Sequence, residues 1–425
     1  MPLAGTLEKL YARRRFGIKP GVERVQLLLK RLGNPEQSFR TIHVVGTNGK
    51  GSTSAFLASI LSAAGLRTAL FTSPHLVSFN ERFRIDGREI PQEQLDPLLN
   101  SVLAAAPEEA TFFEIVTAMA ALYFSEAGVD LAVMEAGMGG RSDATAALPG
   151  IMTLITPISL DHCLYLGTTL AEIATEKAAI AEADTPVLIA HQTEEVRQAI
   201  TACFPRNRAH LLWADTTFSA RWNWDGTLDY RGIHAVLKRL TPGISGRYQS
   251  ENAALALAAA ESLALLGISL PDTALRSGIS DASWPGRMET IPGDPTLLLD
   301  GAHNPAGAAA LVEALADYRY RKLRLVLGTM ADKDVVRIVS ALAPLAATCY
   351  CVTPAIDRAL DDTELAAIIT GIGIPAVACG SVGNGIAHAQ RDAESGDLVL
   401  VCGSLFTVGE AKAWLAGTEF VGIRG

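Results

Sequence analysis

Short runs of β-branched and aliphatic residues alternate along the chain with longer stretches rich in alanine and leucine, and this rhythm predicts strands that feed helices. Thr41 to Val45 reads as a buried strand ahead of a helix over Ser52 to Ala64, and Arg67 to Phe71 as the next strand. A helical pattern over Ile115 to Phe124 precedes a strand over Leu131 to Glu135, and a strand over Ile151 to Ile155 precedes a helix over Leu170 to Ala181. Such alternation specifies βαβ units around a mainly parallel sheet. After about residue 206 the rhythm gives way to an aromatic, turn-rich piece, Phe218 to Gly232, which predicts a small antiparallel excursion. A helix over Gln249 to Leu266 then returns the chain to the first sheet.

Between Trp284 and Pro295 stand three prolines and two glycines with little periodicity, the composition of an interdomain connection. Beyond it the alternation restarts, with strands expected over Leu297 to Leu299, Leu323 to Leu327, Ala347 to Val352 and Leu398 to Val401. Helices are expected over Ala306 to Asp317, Val335 to Ala343, Leu365 to Thr370 and Phe406 to Leu415. At 425 residues the chain exceeds the roughly 250 to 300 at which single cores stop growing. The expected architecture is therefore two α/β domains, residues 1–285 and a smaller, Rossmann-like 286–425.

Composition narrows the possible partners. A 49% hydrophobic and 19% charged chain suits well-packed globular domains, and a formal net charge of -9 argues against nucleic-acid or anionic-membrane binding. Anionic substrates must then be held by local positive charge. No stretch is apolar over the roughly 18 residues that a membrane helix needs, and no basic patch followed by an apolar run marks a secretory signal. Six cysteines are scattered without Cys-x-x-Cys spacing, and Cys349 and Cys351 alternate within an apolar run. Buried free thiols in a reduced, cytoplasmic protein, expected to be a monomer, follow.

Candidate chemistry begins at Gly46-Thr47-Asn48-Gly49-Lys50-Gly51-Ser52, between the first strand and its helix. Glycines there let the backbone approach an anion, the helix N-terminus points N–H groups at it, and Lys50 neutralises a terminal phosphate. The loop departs from the usual G-x4-G-K-[ST] form: Val44 stands where the first glycine belongs, and Gly51 separates Lys50 from Ser52. Glu135 ends an apolar strand and opens Gly137-Met138-Gly139-Gly140, where a carboxylate at a strand's carboxyl end meets a nucleotide's Mg²⁺. Asp161-His162 follows another strand. His162 alone also fits a packed or solvent-facing residue, and Lys177, beside Glu176, also reads as an exposed helix lysine. Thr111-Phe112-Phe113-Glu114 offers aromatic surface and a carboxylate to a flat heterocycle, but its spacing alone better fits a hydrophobic staple with an N-terminal helix glutamate.

The inserted Gly51 carries a resemblance. The loop is similar to that of the Mur ligase superfamily, in particular folylpolyglutamate and dihydrofolate synthases, as is Asp161-His162 through Leu170 with Glu176-Lys177-Ala178-Ala179-Ile180. The resemblance implies a P-loop-containing, Mur-ligase-like first domain. It implies ATP held by Thr47, Asn48, Gly49, Lys50, Gly51, Ser52, Asn252, Arg287 and Asp300, and two Mg²⁺, one held by Ser73, Glu135 and His162 and the second near Lys177. It further implies a carbamate on Lys177 and a folate pocket lined by Thr111, Phe112, Phe113, Glu114, Ser142, Asp143 and Ala144. Gly21-Val22-Glu23-Arg24, preceded by Ile18-Lys19-Pro20, and Phe79-Asn80-Glu81-Arg82 resemble segments beside that pocket. Asp300-Gly301-Ala302-His303-Asn304-Pro305, Met330 to Asp334 and Gly403 to Phe406 resemble strand-end loops of the second domain. The chain departs from the family pattern at Ser142, Ala146 and Ala179, where leucine, asparagine and glycine are expected.

The implied activity is ATP-dependent addition of L-glutamate to a reduced folate, with dihydropteroate as a further acceptor, through an acyl phosphate, and with Lys50, His162 and Lys177 catalytic. A peptidoglycan-type Mur ligase is the nearest alternative. It lacks the Thr111 to Glu114 and Gly139 to Thr145 features and has a separate N-terminal domain. A P-loop regulatory protein, which would bind nucleotide without ligating anything, is opposed by Gly51 and Asp300.

Overall fold

The computed structural model describes residues 3–13, 21–204, 210–418 and 420; Ile18, Lys19 and Pro20 of the segment singled out above lie outside them. The first sheet contains β1 (Arg40–Val45), β2 (Thr68–Phe71), β3 (Phe83–Ile85), β4 (Arg88–Glu89), β5 (Leu131–Glu135), β6 (Gly150–Ile155), β7 (Pro186–Ile189) and β8 (His210–Trp213). Their spatial order is β4-β3-β2-β5-β1-β6-β7-β8, parallel from β2 to β8 with an antiparallel edge at β3 and β4. The first strand thus lies mid-sheet: its helix leads to β2 on one side, and β5 crosses it to β6 on the other. Ligands in open α/β sheets bind at such reversals, outside the carboxyl ends of the strands.

Alternation along β5 sets the direction of the chemistry. Leu131 and Val133 enter the core that includes Phe56 and Ile60 of the helix Lys50–Ala63, while Ala132 and Met134 enter the core behind it with Val116 and Met119. With a period of two, Glu135 turns to the side of the helix that begins at Lys50. That helix is buried around most of its surface, as is the alanine-rich helix Gln249–Ser262 beside it. Small side chains allow the close approach: a Cβ on Gly278 of the neighbouring helix Asp272–Asp281 would fall 2.3 Å from the Cα of Ile60.

The expected excursion is a three-stranded antiparallel sheet, β9 (Ser219–Trp222), β10 (Leu228–Arg231) and β11 (Val236–Leu240). It runs past the expected end at Gly232 because a further turn there returns the chain once more. The second sheet comprises β12 (Glu289–Ile291), β13 (Thr296–Leu299), β14 (Leu323–Leu327), β15 (Ala346–Cys351), β16 (Ala376–Ala378) and β17 (Leu398–Cys402), in the order β12-β13-β17-β14-β15-β16. All but β12 are parallel. The connection read as unstructured therefore holds a strand, because Glu289 to Ile291 pair with β13 across the turn made by Pro292 to Pro295. The helix expected to reach Ala181 ends at Ala178. Two helices not anticipated from the sequence, Gln92–Ala105 and Glu194–Cys203, also pack around the first sheet, burying Leu95, Leu98, Leu99 and Val102 of the one and Val196 and Ile200 of the other.

Candidate functional site

Four neighbouring strand ends deliver the phosphate side of the site. After β1, Thr47 and Asn48 donate their backbone N–H groups to Pro157 O, and Thr47 Oγ1 donates to Ser159 O at 3.0 Å while accepting from Ser159 N–H. The loop after β6 thereby braces the glycine loop. Gly49 takes φ +87°, and a Cβ there would fall 2.2 Å from Asn252 Oδ1, so both conformation and space demand glycine. Gly51 is required by space alone: its Cβ would lie 2.7 Å from the Trp284 indole nitrogen. The residue that distinguishes this loop in sequence is thus the one against which the domain junction packs.

Lys50 lies among the side chains singled out from sequence. Its charge acts on Glu135, His162 and Lys177 together. Glu135 is buried, and burial raises its pKa against the opposing charges of Lys50, Arg287 and Arg82. One oxygen accepts the Ser73 backbone N–H at 3.2 Å, and among the described residues no ion pair closes on the carboxylate. A buried anion with spare oxygen, next to a serine and reached by a shared lysine with an imidazole, fits a hard divalent cation. Among the described residues no cluster of three or more His, Cys, Asp or Glu side chains could hold a metal alone.

Lys177 is not the exposed helix lysine of the plain reading. It is 4% exposed, its Nζ donates to Gly46 O at 2.8 Å, and burial, reinforced by Lys50, lowers its pKa to about 7. His162 caps a short helix at φ +52°. Its ring is open to solvent, but the surrounding protein still removes enough water to lower its pKa to about 4, with Lys333 and Lys50 working against Asp161.

Sequence reasoning missed the seam between the domains. Asp161 accepts from Lys333 Nζ at 2.5 Å and faces His303 Nε2 at 3.5 Å. Burial raises its pKa, but the His303 hydrogen bond and the charges of His162, Lys333 and His303 outweigh this and hold it well below the ordinary carboxylate value. Asn48 and Asn304 exchange side-chain hydrogen bonds at 2.9 and 3.2 Å. Asp300 accepts from Tyr248 OH, Met288 N–H and Ala302 N–H. Arg287 lies beside it, with NH1 donating to Gly286 O, and Asn252 reaches Thr53 and Gln249 rather than capping its own helix. The motifs holding Asp161, His303 and Lys333 were visible, but their partners lie at least 142 residues apart and no local pattern links them.

The opposite loops are built differently. Thr111 and Glu114 form a reciprocal capping box on the helix Phe112–Glu126, and Glu114 also pairs with Arg24 at 2.8 Å. Phe112 stacks on Tyr11 and lies under the Arg82 guanidinium, whereas Phe113 faces Gly137, whose Cβ would fall 2.5 Å from its ring. Asp143 accepts Met138 N–H, Thr145 N–H and Thr145 Oγ1, bracing the loop that carries Ser142 and Ala144. Ser142 bonds through its backbone N–H to Glu176, the neighbour of Lys177.

Both domains have known counterparts. Residues 44–260 match the Mur ligase middle domain and residues 286–405 the Mur ligase glutamate ligase domain. A solved structure of Escherichia coli FolC in complex with DHPP and ADP is 31% identical, covers 98% of each chain and superposes with a TM-score of 0.90. The chain belongs to the folylpolyglutamate synthase/dihydrofolate synthase family of the Mur ligases. Another member of the family, the bifunctional enzyme of Yersinia pestis complexed with AMPPNP and Mn ion, is 32% identical over 98% of each chain, with a TM-score of 0.87. A probable bifunctional folylpolyglutamate synthase/dihydropteroate synthase of Haloferax volcanii is 37% identical over 95% of this chain, which spans only 49% of that longer protein. The family assignment fits two α/β domains, each built on a mainly parallel sheet, and among the described residues no helix is long and apolar enough to cross a membrane.

Proposed function

We propose that this chain uses ATP to join L-glutamate to the carboxylate of a folate-type acceptor, extending reduced folates and also converting dihydropteroate to dihydrofolate. The observation that carries the reading is a glycine loop whose Gly46 O accepts from Lys177 Nζ at 2.8 Å and whose Lys50 charge reaches Glu135, His162 and Lys177, in a chain that matches nucleotide-bound relatives along 98% of its length. A carboxylate is a poor electrophile and hydroxide a poor leaving group, so direct condensation fails. The acceptor carboxylate instead attacks the γ-phosphorus of ATP, the bond to ADP breaks, and an acyl phosphate forms. The glutamate amine then attacks the acyl carbon, loses a proton, and expels phosphate to leave the amide.

Each residue has a defined part in this scheme. Lys50 and the backbone N–H groups of residues 47–52 offset charge on the transferring phosphoryl group. Ser73, Glu135 and His162 would hold Mg²⁺, which polarises the phosphoryl oxygens. His162, neutral above about pH 4, offers a lone pair there rather than a second positive charge. Lys177, with a pKa near 7, holds a substantial neutral fraction at physiological pH, the form that adds carbon dioxide. As a carbamate it would keep one N–H for Gly46 O and present two oxygens to a second Mg²⁺. Phe113 and the Gly137 to Ala144 loop offer the acceptor ring an apolar wall. The seam at Asp161, Asn304 and Lys333 supports closure that excludes water, which would otherwise hydrolyse the acyl phosphate.

The reading carries a cytoplasmic monomer with it, and the six unpaired cysteines suit a reducing compartment. Purified protein given ATP, Mg²⁺ and glutamate with either tetrahydrofolate or dihydropteroate should yield products heavier by one glutamyl group, read by mass. Product from one acceptor alone would restrict the reading to a single activity, and product from neither would refute it.

A further inference from the structure

The start of the helix Gln249–Ser262 stands between the two nucleotide loops. Asn252 Oδ1 accepts from Thr53 Oγ1 at 3.3 Å and lies against Gly49, while Asn252 Nδ2 donates to Gln249 Oε1 at 2.8 Å. Tyr248, the residue before the helix, turns the other way. Its ring packs on the core of the second domain, among residues that include Met288 and Leu298, although the helix it precedes belongs to the first. Its hydroxyl donates to Asp300 Oδ2 at 2.7 Å. The other donors to Asp300 are the backbone N–H groups of Met288 at 3.0 Å and Ala302 at 2.9 Å. The side-chain bond on this 3%-exposed carboxylate therefore comes from across the domain junction.

We propose that Tyr248 is a positioning residue for nucleotide binding, holding the Asp300 carboxylate in register with the phosphate loop through a helix whose start contacts both. The inference rests on the nucleotide reading of Asp300. A phenol suits this role because its flat ring fills the interface at little conformational cost. Its hydroxyl adds a charge-assisted bond that ties the second domain's first loop to a fixed helix end. Burial and the Asp300 charge hold the Tyr248 pKa well above the ordinary value, so the hydroxyl remains a donor throughout the working range. Gln249 and Asn252 follow on the same rigid turn. Any shift of Asp300 away from Tyr248 therefore changes its distance from Gly49 and Lys50.

The test is calorimetric titration of ADP with Mg²⁺ into wild type, Tyr248→Phe, Asp300→Asn and the double variant. Removing the hydroxyl while keeping the ring should weaken ADP binding about tenfold, the scale of one hydrogen bond to a charged group. The KM for ATP should rise in parallel, while those for glutamate and the acceptor stay within about twofold. In the Asp300→Asn background the same change should alter ADP binding by less than about twofold, because the hydroxyl acts through Asp300. Unchanged ADP affinity in Tyr248→Phe, or an equal loss in both backgrounds, overturns the proposal.

A second readout needs no variant. In wild type, ADP should slow hydrogen exchange at the amides of Met288 and Ala302 together with those of the first turn of Gln249–Ser262. Protection of one set without the other also overturns the proposal. Wild type that binds ADP but forms no glutamylated product refutes the ligase reading and leaves this inference to be decided on affinity, whereas wild type that binds no ADP overturns both.

Discussion

The phosphate end and the acceptor end of the site are both marked by sequence motifs, the first more sharply than the second, and their polar side chains stand in opposite states. At the phosphate end Glu135 is buried with one backbone donor, and Lys177 is buried with a carbonyl as partner and a pKa near 7. These groups hold unspent capacity for a cation, a phosphate or carbon dioxide. At the acceptor end Glu114 is committed to the Thr111 cap and Arg24, and Asp143 to Met138 and Thr145. Burial raises the pKa of Asp143 too, but the bonds it accepts stay within its own loop. On the proposed reading, the side chains with spare bonding capacity carry the chemistry and the committed ones hold the shape of the pocket.

The largest effect is expected at Lys50. Lys50→Ala should lower turnover by at least about a thousandfold at an unchanged thermal midpoint, since it removes charge from a developing phosphoryl transition state. Turnover within tenfold of wild type would erase the distinction between the two ends.

Lys177 comes next, with activity and stability moving apart. Lys177→Met should cost about a hundredfold in turnover. A lysine with a folded pKa near 7 and an ordinary value of 10.5 makes the fold more stable as pH rises through that window, because there the unfolded chain holds a proton that the folded one has lost. Comparing midpoints at pH 7 and pH 9 should show this rise in wild type and not in Lys177→Met. An intact-mass measurement under bicarbonate should find one added carbon dioxide in wild type alone.

Gly51→Ala should reduce turnover roughly ten- to hundredfold, because the added methyl overpacks against Trp284 at a cost of about 1–3 kcal/mol. Trp284→Ala in the same chain should recover part of the loss; no recovery would place the fault elsewhere. At the acceptor end, Glu114→Ala should destabilise the fold by about 1–2 kcal/mol, as expected for a lost helix cap. Acceptor KM should rise only as the pocket loosens, and ADP affinity should not change. The smallest effect belongs to Ser142→Leu. Leucine keeps the backbone N–H to Glu176, so acceptor KM should stay within about twofold.

These contrasts explain what could be read from the chain and what could not. The strands ending at Val45, Glu135 and Ile155 are short β-branched and aliphatic runs, buried almost throughout and interrupted only by Thr41, His43 and Thr153, and such runs announce themselves. Their ends located the phosphate loop, Glu135 and the loop after β6. The burial of Lys177 was hidden, because Glu176 beside it gives the same charge pattern as a solvated helix. The pairings of Asp161 with Lys333, Asn48 with Asn304 and Tyr248 with Asp300 left no trace either. They depend on how two sheets, each folded around its own core, come to face one another. At Glu114 the spacing favoured a helix start over a ring-binding carboxylate, and the structure fills the helix cap with explicit bonds.

On the proposed mechanism a phosphoryl group passes to the acceptor's carboxylate at the loop of residues 46–52. Acceptor carrying heavy oxygen in its carboxylate, incubated with ATP, Mg²⁺ and glutamate, tests it directly. The account predicts that one labelled oxygen per turnover appears in inorganic phosphate, in step with glutamylated product, and that Lys50→Ala releases neither. Glutamylated product formed with unlabelled phosphate would contradict it.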